Sequence, residues 1–405
     1  MRRFDLVIAG GGIVGMSLAL ALSRVRKGAL SVALIDRTHS SSEDRAFAFS
    51  AGSQRFLDAL GVWDQISPSA EPIREMVITD SRLNDPIRPV FLTFGNEASQ
   101  GEPVAHMIPE SAVLRALQAA ITASSVHVIE GIVDDVIADE AGSTLHLANG
   151  QKYRAGLVTA CDGARSRLRE KAGIGWHYWS YKQSGIVTTI GIERDHDGRA
   201  EEHFLPSGPF ALLPLTDHRY SIVWTESDER VPSLLAQDDD LFREEIEKRA
   251  GLRFGRISLL SKPRAYPLGF GLARKFGAAR LALVGDAAHI IHPIAGQGLN
   301  LGLRDVAALV EIISDQIALG LDIGSMSVID SYDRSRRADT VEMAALTDVL
   351  NRLFSNEATP LRLMRDFGLG LVDRLPTLKS RLIREASAAN PRLPRLMRGK
   401  SLPGF

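Results

Sequence analysis

Residues 4–36 read FDLVIAGGGIVGMSLALALSRVRKGALSVALID, and this stretch decides the fold. Phe4 to Ala9 is a short apolar run, as expected of a buried strand, and it ends in Gly10-Gly11-Gly12-Ile13-Val14-Gly15. Small and apolar residues at Ala19, Leu20 and Leu22 predict a helix next. Ser31 to Ile35 reads as a second apolar strand, closing on Asp36, 21 residues past Gly15. Strand, G-x-G-x-x-G, helix, strand and acid is the order of a dinucleotide-binding unit. Gly10 makes the tight turn, Gly12 lets a pyrophosphate reach the backbone, Gly15 lets helix and strand pack closely, and Asp36 holds ribose hydroxyls. The candidate cofactor contacts here are Gly10, Gly12, Ile13, Val14, Gly15, Asp36 and its neighbour Arg37.

The rest of the chain is compatible with a large core. Its 405 residues are 45% hydrophobic and 24% charged, enough for two domains or one with a big insertion. A net charge of -1 argues against a general nucleic-acid binder, although residues 361–405 carry ten Lys/Arg against three Asp/Glu. The single cysteine, Cys161, excludes an intramolecular disulfide framework and fits a reducing compartment. It reads as a small core residue at a strand end, not as a nucleophile. There is no apolar run of about twenty residues and the first strand begins almost at Met1, so neither a membrane span nor a signal peptide is expected and the protein reads as cytoplasmic.

Past Asp36, a polar loop leads to Arg45-Ala46-Phe47-Ala48-Phe49-Ser50, and residues 53–66 predict a helix with Phe56, Leu57, Leu60 and Trp63 on its apolar side. Short strands with prolines follow from Ile73 to Phe94. A helix is expected after Pro109-Glu110-Ser111, then an antiparallel meander over Val126 to Val136 and Thr144 to Leu147, with a turn at Asn149-Gly150. Gly156 to Ala160 reads as another buried strand, ending in Cys161-Asp162-Gly163. Strands at Ser184 to Ile192, Phe210 to Leu215 and Tyr220 to Glu226 precede a charged helix at about Asp239 to Ala250. This order predicts an α/β protein: a Rossmann-like domain over 1–72, 106–174 and 266–345, an inserted antiparallel-sheet substrate domain over 73–105 and 175–265, and a helical C-terminal region over 346–405.

Residues 283–305, LVGDAAHIIHPIAGQGLNLGLRD, present a second ligand-facing surface. An apolar strand from Leu281 to Val284 runs into Gly285-Asp286, and the chain passes Pro293 to open a helix at Gly296-Gln297-Gly298-Leu299-Asn300. Asp286 can accept hydrogen bonds from sugar-alcohol hydroxyls, while N–H groups around Gly298 to Asn300 point from a helix start towards negative charge.

Three motifs now stand in order: G-x-G-x-x-G at 10–15, Asp162-Gly163 followed by Arg165-Ser166, and Gly285-Asp286 followed by Pro293 and GQGLN. In this order and spacing the sequence resembles the FAD-dependent aromatic hydroxylases of the para-hydroxybenzoate hydroxylase superfamily. The fuller string GDAAHIIHPIAGQGLNLGLRD, with RAFAFS at 45–50, is most similar to the branch that hydroxylates polyprenylated phenols in ubiquinone biosynthesis. The resemblance implies FAD, molecular oxygen, and a reduced nicotinamide nucleotide or another electron donor, working through a flavin hydroperoxide. It places Gly10, Gly12 and Gly15 at the pyrophosphate, Asp36 at the adenosine ribose, Arg45 near the phosphates and Asp286 at the ribityl chain. Gly298, Leu299 and Asn300 would face the pyrimidine edge of the flavin, and Asp162 would serve FAD and the nicotinamide donor. Glu110 falls where relatives often carry Arg, Gln or Asn, and a carboxylate there would repel a pyrophosphate. Pro293 and Gln297 are the candidate lining of the substrate pocket, and no general base can be named.

Two further features of the sequence admit other readings. Asp286, His289 and His292 have a spacing that could suit a metal, but the cofactor motif claims Asp286 and the sequence offers no further strong ligand cluster. In the C-terminal stretch, Leu361, Leu363, Met364, Phe367, Leu371 and Val372 alternate with Arg362, Arg365 and Arg374, which suits either a solvated helix pair or a basic amphipathic surface on anionic lipid or on partner proteins. The alternative functions are hydroxylation of a soluble aromatic acid or phenol, and a non-catalytic flavin-binding role in a biosynthetic complex.

Overall fold

The computed structural model describes residues 1–37, 45–80, 83, 90–95, 103–293, 296–354 and 392–405. At its centre is a parallel sheet. Arg2–Ala9 lies between Val32–Asp36 and Lys152–Ala160, with His127–Glu130 beyond the first and Leu281–Leu283 beyond the second. The helix Ile13–Arg24 forms the crossover between the first two strands, as the glycine motif predicts. Strands buried on both faces need continuous apolar sequence, and VIA, VALI, LVTA and LAL supply it.

Two glycines of the motif are fixed by contact. A Cβ on Gly10 would lie 2.3 Å from the Cys161 carbonyl oxygen, and one on Gly15 would lie 1.9 Å from the Gly10 carbonyl oxygen. The first lets two strand ends meet, and the second lets the helix sit against the turn. Cys161 packs at this junction, where burial raises its thiol pKa well above the ordinary value, so the core reading holds.

The second sheet is antiparallel apart from one pair. Its order is His289–Ile290, Arg264–Ala273, Trp176–Ile192, Arg219–Ser227, Gly208–Leu215, Arg199–Leu205, Glu75–Asp80 and Val90–Gly95, with Glu75–Asp80 parallel to Arg199–Leu205. One face is apolar at Ile186, Ile190, Phe210, Leu212, Ile222 and Trp224 and is covered by Asp239–Ala250, the charged helix expected there, which Asp238 caps by accepting the Leu241 N–H at 2.9 Å. Ala46–Ser50, Ala105–Pro109 and Glu71–Ile73 form a small third sheet between this body and the parallel one.

Several local expectations are corrected. The helix expected over 53–66 is two helices, Ala51–Ala59 and Trp63–Ile66, because Gly61 adopts a left-handed φ of 60° that ends the first. The strand expected over Val126 to Val136 is also two: His127–Glu130 joins the parallel sheet and Val133–Asp139 the meander, separated where the Gly131 N–H donates to the Asp36 carbonyl. The strand expected from Ser184 begins eight residues earlier, at Trp176. One helix, Met326–Phe354, runs through the position expected to divide the cofactor domain from the C-terminal region.

The C-terminal stretch is corrected too. Residues 361–391 lie outside the described residues, but Leu393, Leu396, Met397 and Leu402 pack into the main core. Arg395 donates to Glu311 at 2.8 Å and to Asp315 at 2.8 Å on the helix Gln297–Ala318. The apolar residues between the arginines pull this end of the chain onto the body.

Replacing Gly15 by alanine should lower stability by about 1–3 kcal/mol or more, because a methyl group has no room beside the Gly10 carbonyl. Urea unfolding with an unchanged midpoint would contradict this packing.

Candidate active site

The turn after Leu281–Leu283 is held by one carboxylate. Asp305, on the helix Gln297–Ala318, is fully buried; its Oδ2 accepts the Gly285 N–H at 3.0 Å and lies 2.6 Å from His289 Nε2, while its Oδ1 accepts Arg336 Nε at 2.8 Å. Burial disfavours the charged form, but His289 and Arg336 outweigh it and hold the pKa below the ordinary carboxylate value. An ionised carboxylate can only accept, so His289 Nε2 carries a proton. Arg336 continues to Asp339 at 2.7 Å, and Arg304 reaches the same carboxylate at 3.0 and 3.1 Å. Tyr332 donates to the Leu283 carbonyl at 2.8 Å, which ties the helix Met326–Phe354 to the strand itself.

Held in this way, the turn presents Asp286 outward. Its carboxylate opens to solvent while protein crowds it on other sides, and this desolvation raises its pKa, with His289 and Arg45 pulling it back. Gly285 has a φ of 64°, and Gly285 and Gly302 close around Val14: Cβ atoms placed on them would lie 3.3 and 3.0 Å from the valine methyl groups. The side chain of Val14 is therefore the wedge between two helices and a turn.

The start of Gln297–Ala318 is fixed by Asn300. Its Nδ2 donates to the carbonyls of Ala48 at 2.8 Å and Gly296 at 2.9 Å, and its Oδ1 accepts from the Ser50 N–H at 2.9 Å and Ser53 Oγ at 2.7 Å. All of its amide hydrogen-bonding capacity is used on protein, so only the main chain of Asn300 remains for a ligand. Gly296 precedes the helix with a left-handed φ of 62°, and among the described residues no side chain caps the first turn, so the N–H groups of Gly298 to Asn300 stand at a helix start that favours an anion.

The other expected contacts fall around the same strand ends. Asp36 reaches over the glycine turn, where a Cβ on Gly11 would lie 2.5 Å from its Oδ2. Arg37 is exposed, and Ile13 begins the uncapped helix Ile13–Arg24. Asp162 Oδ2 accepts the Leu168 N–H at 3.3 Å, and its Oδ1 is buried without a hydrogen-bond partner among the described residues. A Cβ on Gly12, Gly163 or Gly298 would meet no atom within 4 Å. Open space over three motif glycines and an orphaned carboxylate oxygen fit a cofactor lying along these turns. Pro293 and Gln297, both half-buried, flank Gly296; Ile294 and Ala295 lie outside the described residues.

Glu110 finds its counter-charge in the chain. Arg45 Nε and Nη2 donate to its two carboxylate oxygens at 2.9 and 2.7 Å, a bidentate pair. The repulsion expected of a carboxylate beside a pyrophosphate is thereby offset, and Arg45 also lies 5.9 Å from the Tyr266 ring of the second sheet. Arg169, not singled out in the sequence, stacks 3.8 Å above the Trp176 ring and donates to the carbonyls of Ala287 at 2.9 Å and Ala164 at 3.1 Å, clamping the Asp162 loop to the Asp286 turn. His292 is buried beside Tyr181 and its pKa falls to about 4 by desolvation. With His289 turned to Asp305, the three residues of the metal-like spacing do not converge.

The glycine turn, the orphaned Asp162 oxygen, the outward Asp286 and the uncapped helix start lie on neighbouring turns: the Gly10 turn meets Cys161, Arg169 joins the Asp162 loop to Ala287, and Gly285 and Gly302 meet at Val14. The chain's family and relatives make it an FAD-dependent oxidoreductase acting on an aromatic ring. The chain belongs to the FAD binding domain family, whose model matches residues 3–347. It is similar to ubiquinone hydroxylase UbiL of Rhodospirillum rubrum, 40% identical over 98% of this chain and 93% of that protein. It is also similar to the 3-demethoxyubiquinol 3-hydroxylase of Escherichia coli, 33% identical over 94% of this chain and 98% of that protein. Among solved structures, p-nitrophenol 4-monooxygenase PnpA of Pseudomonas putida shares the fold with a TM-score of 0.77, at 20% identity, over 99% of this chain and 100% of that one.

Changing Asp305 to alanine strands His289 and Arg336 in the core and should lower stability by about 3–5 kcal/mol. Because its folded pKa is depressed, Asp305 stabilises above about pH 4, its unfolded range, and this contribution is lost as pH falls further. The urea-midpoint gap between wild type and Asp305→Asn should narrow on acidification, and a gap independent of pH would contradict the assignment.

Proposed function

We propose that this protein is an FAD-dependent monooxygenase that hydroxylates the aromatic ring of a polyprenylated phenol in ubiquinone biosynthesis. The observation that carries the reading is that Gly12, Asp36, Asp162, Asp286 and the Gly296–Asn300 helix start lie on neighbouring turns, with open space over Gly12 and Gly298 and an unpartnered Asp162 oxygen among the described residues. The two relatives named above, matched along nearly their whole length, support the substrate class. Bound FAD supplies the electrons and the activation of molecular oxygen, with a reduced nicotinamide nucleotide or another donor restoring it.

The chain's own groups have distinct tasks. Gly10, Gly12, Ile13, Val14 and Gly15 offer backbone to the pyrophosphate, with Arg45, held by Glu110, near it. Asp36 and Arg37 serve the adenosine end, and Asp162 and Asp286 accept from hydroxyl groups. N–H groups of Gly298, Leu299 and Asn300 stabilise negative charge on the flavin's pyrimidine edge, an effect of roughly 0.3–2 kcal/mol at a helix end. Pro293 and Gln297 border the ring of the substrate. The protein's remaining work is to place that ring and exclude water.

Among the described residues no helix is long and apolar enough to cross a membrane. The proposal places the protein in the cytoplasm, in peripheral contact with the inner face of the membrane or with a biosynthetic complex. Arginines and apolar residues of 361–391 would make that contact, because 392–405 is packed on the body.

Asp286→Ala should strip most of the flavin absorbance from the purified protein, whereas Lys262→Ala, an exposed change outside the motifs, should leave it intact; equal retention would overturn the role of Asp286. Reversing Arg362, Arg365 and Arg374 to glutamate should reduce co-sedimentation with anionic vesicles without loss of flavin. Unchanged sedimentation would remove the membrane contact from the proposal.

A further inference from the structure

The strand Arg199–Leu205 carries two adjacent glutamates, and alternation sends them to opposite faces of the antiparallel sheet. Glu201 and His203 face the helix-covered side, where Glu201 pairs with Arg253 and His203 stacks near Phe210. Ala200, Glu202 and Phe204 face the other way. On that second face Ala200 clusters with Ala48 and Met107 of the small sheet, and a Cβ on Gly296 would lie 3.1 Å from the Ala48 Cβ. Tyr266, the ring beside Arg45, lies on the same face, because its register partner Gly185 alternates with the inward Ile186. Glu202 is therefore on the sheet surface turned toward the start of Gln297–Ala318.

Its direct neighbours across the sheet are apolar, while Asp80, the register partner of Phe204, lies two residues further along the next strand on the same face. Register places Ile78 and Ala211 on either side of Glu202, with Val223 and Val187 continuing the row. The side chain is buried, and among the described residues its carboxylate makes no hydrogen bond or ion pair. The charged and titratable groups on this face are Asp80 and Arg264 of the sheet itself and Glu71, His106, Arg45, Glu110, Glu342 and Asp348 of the elements packed on it, and desolvation pushes the pKa of Glu202 up to about 7. A lone buried carboxylate is destabilising unless something fills its acceptor capacity, and such groups concentrate at functional sites.

We propose that Glu202 receives the hydroxyl proton of the phenol substrate and is the general base of the hydroxylation. The inference rests on the function proposed above. In the step, the phenol O–H bond breaks and a carboxyl O–H bond forms on Glu202. The negative charge passes from carboxylate to phenol oxygen, which raises the electron density of the ring that is to be attacked, and no electrons are exchanged with the protein. The desolvated carboxylate is a better match to a phenol than an ordinary glutamate would be, since base strength approaches that of the group it deprotonates.

The test compares binding of a short-chain prenylated phenol with its O-methyl ether to the flavin-loaded, oxidised full-length protein, for wild type, Glu202→Gln and Glu202→Asp. Wild type should prefer the phenol about tenfold or more, the range of a hydrogen bond to a charged acceptor. That preference should grow as pH rises through about 7, where Glu202 ionises. Glu202→Gln should lose most of the preference and its pH dependence while keeping the flavin spectrum, and kcat should fall about 100-fold, with Glu202→Asp intermediate. An unchanged preference and pH profile in Glu202→Gln overturns the inference. A wild type that takes up no flavin sinks the proposed function itself, and this inference with it.

Discussion

Asp305 is the constraint on which the rest of the site depends. A carboxylate with no exposure to solvent is tolerated only when its charge is met, and here one backbone N–H, one imidazole and one guanidinium meet it. Each donor comes from a different segment: the turn after the last parallel strand, the short strand that enters the antiparallel sheet, and the long helix Met326–Phe354. The two residues following Gly285 in the chain cannot shift without breaking that set, so Asp286 and the Ala287 carbonyl gripped by Arg169 are fixed as a consequence.

The second fixed point is Asn300, five residues earlier on the same helix. It ties the helix start to Ala48, Ser50 and Ser53, and through them to the small sheet that supports the antiparallel one. One helix thus holds both the Asp286 turn and the small sheet. This explains why, among the described residues, the helix start does without a side-chain cap: it is anchored a turn later by Asn300, and its first turn favours an anion.

The parallel half of the fold was legible because it is local. A strand, a glycine turn and a crossover helix are adjacent in sequence, and each glycine meets the neighbour that the motif implies. Partners were not legible, since Arg336 is separated from Asp305 by 31 residues and Ser50 from Asn300 by 250. A signal for Asp305 was present: Leu301 and Leu309, four residues either side, are both buried, so the acid sits in an apolar stripe. The partner of Glu110 was hidden for the same reason, because Arg45 pairs with it across 65 residues. Glu201 and Glu202 could not be told apart in sequence, as alternation gives two faces without saying which face meets the cofactor domain. The arginines near the C-terminus read as surface, but four apolar residues among them make part of that segment core.

The most direct test of this account is the absorption spectrum of the purified full-length protein followed by aerobic turnover with a short-chain prenylated phenol and a reductant. The account predicts a yellow protein that releases FAD on denaturation and forms a ring-hydroxylated product. A colourless protein that cannot be reconstituted with FAD, or a yellow one that oxidises its donor without hydroxylating any prenylated phenol, would contradict it.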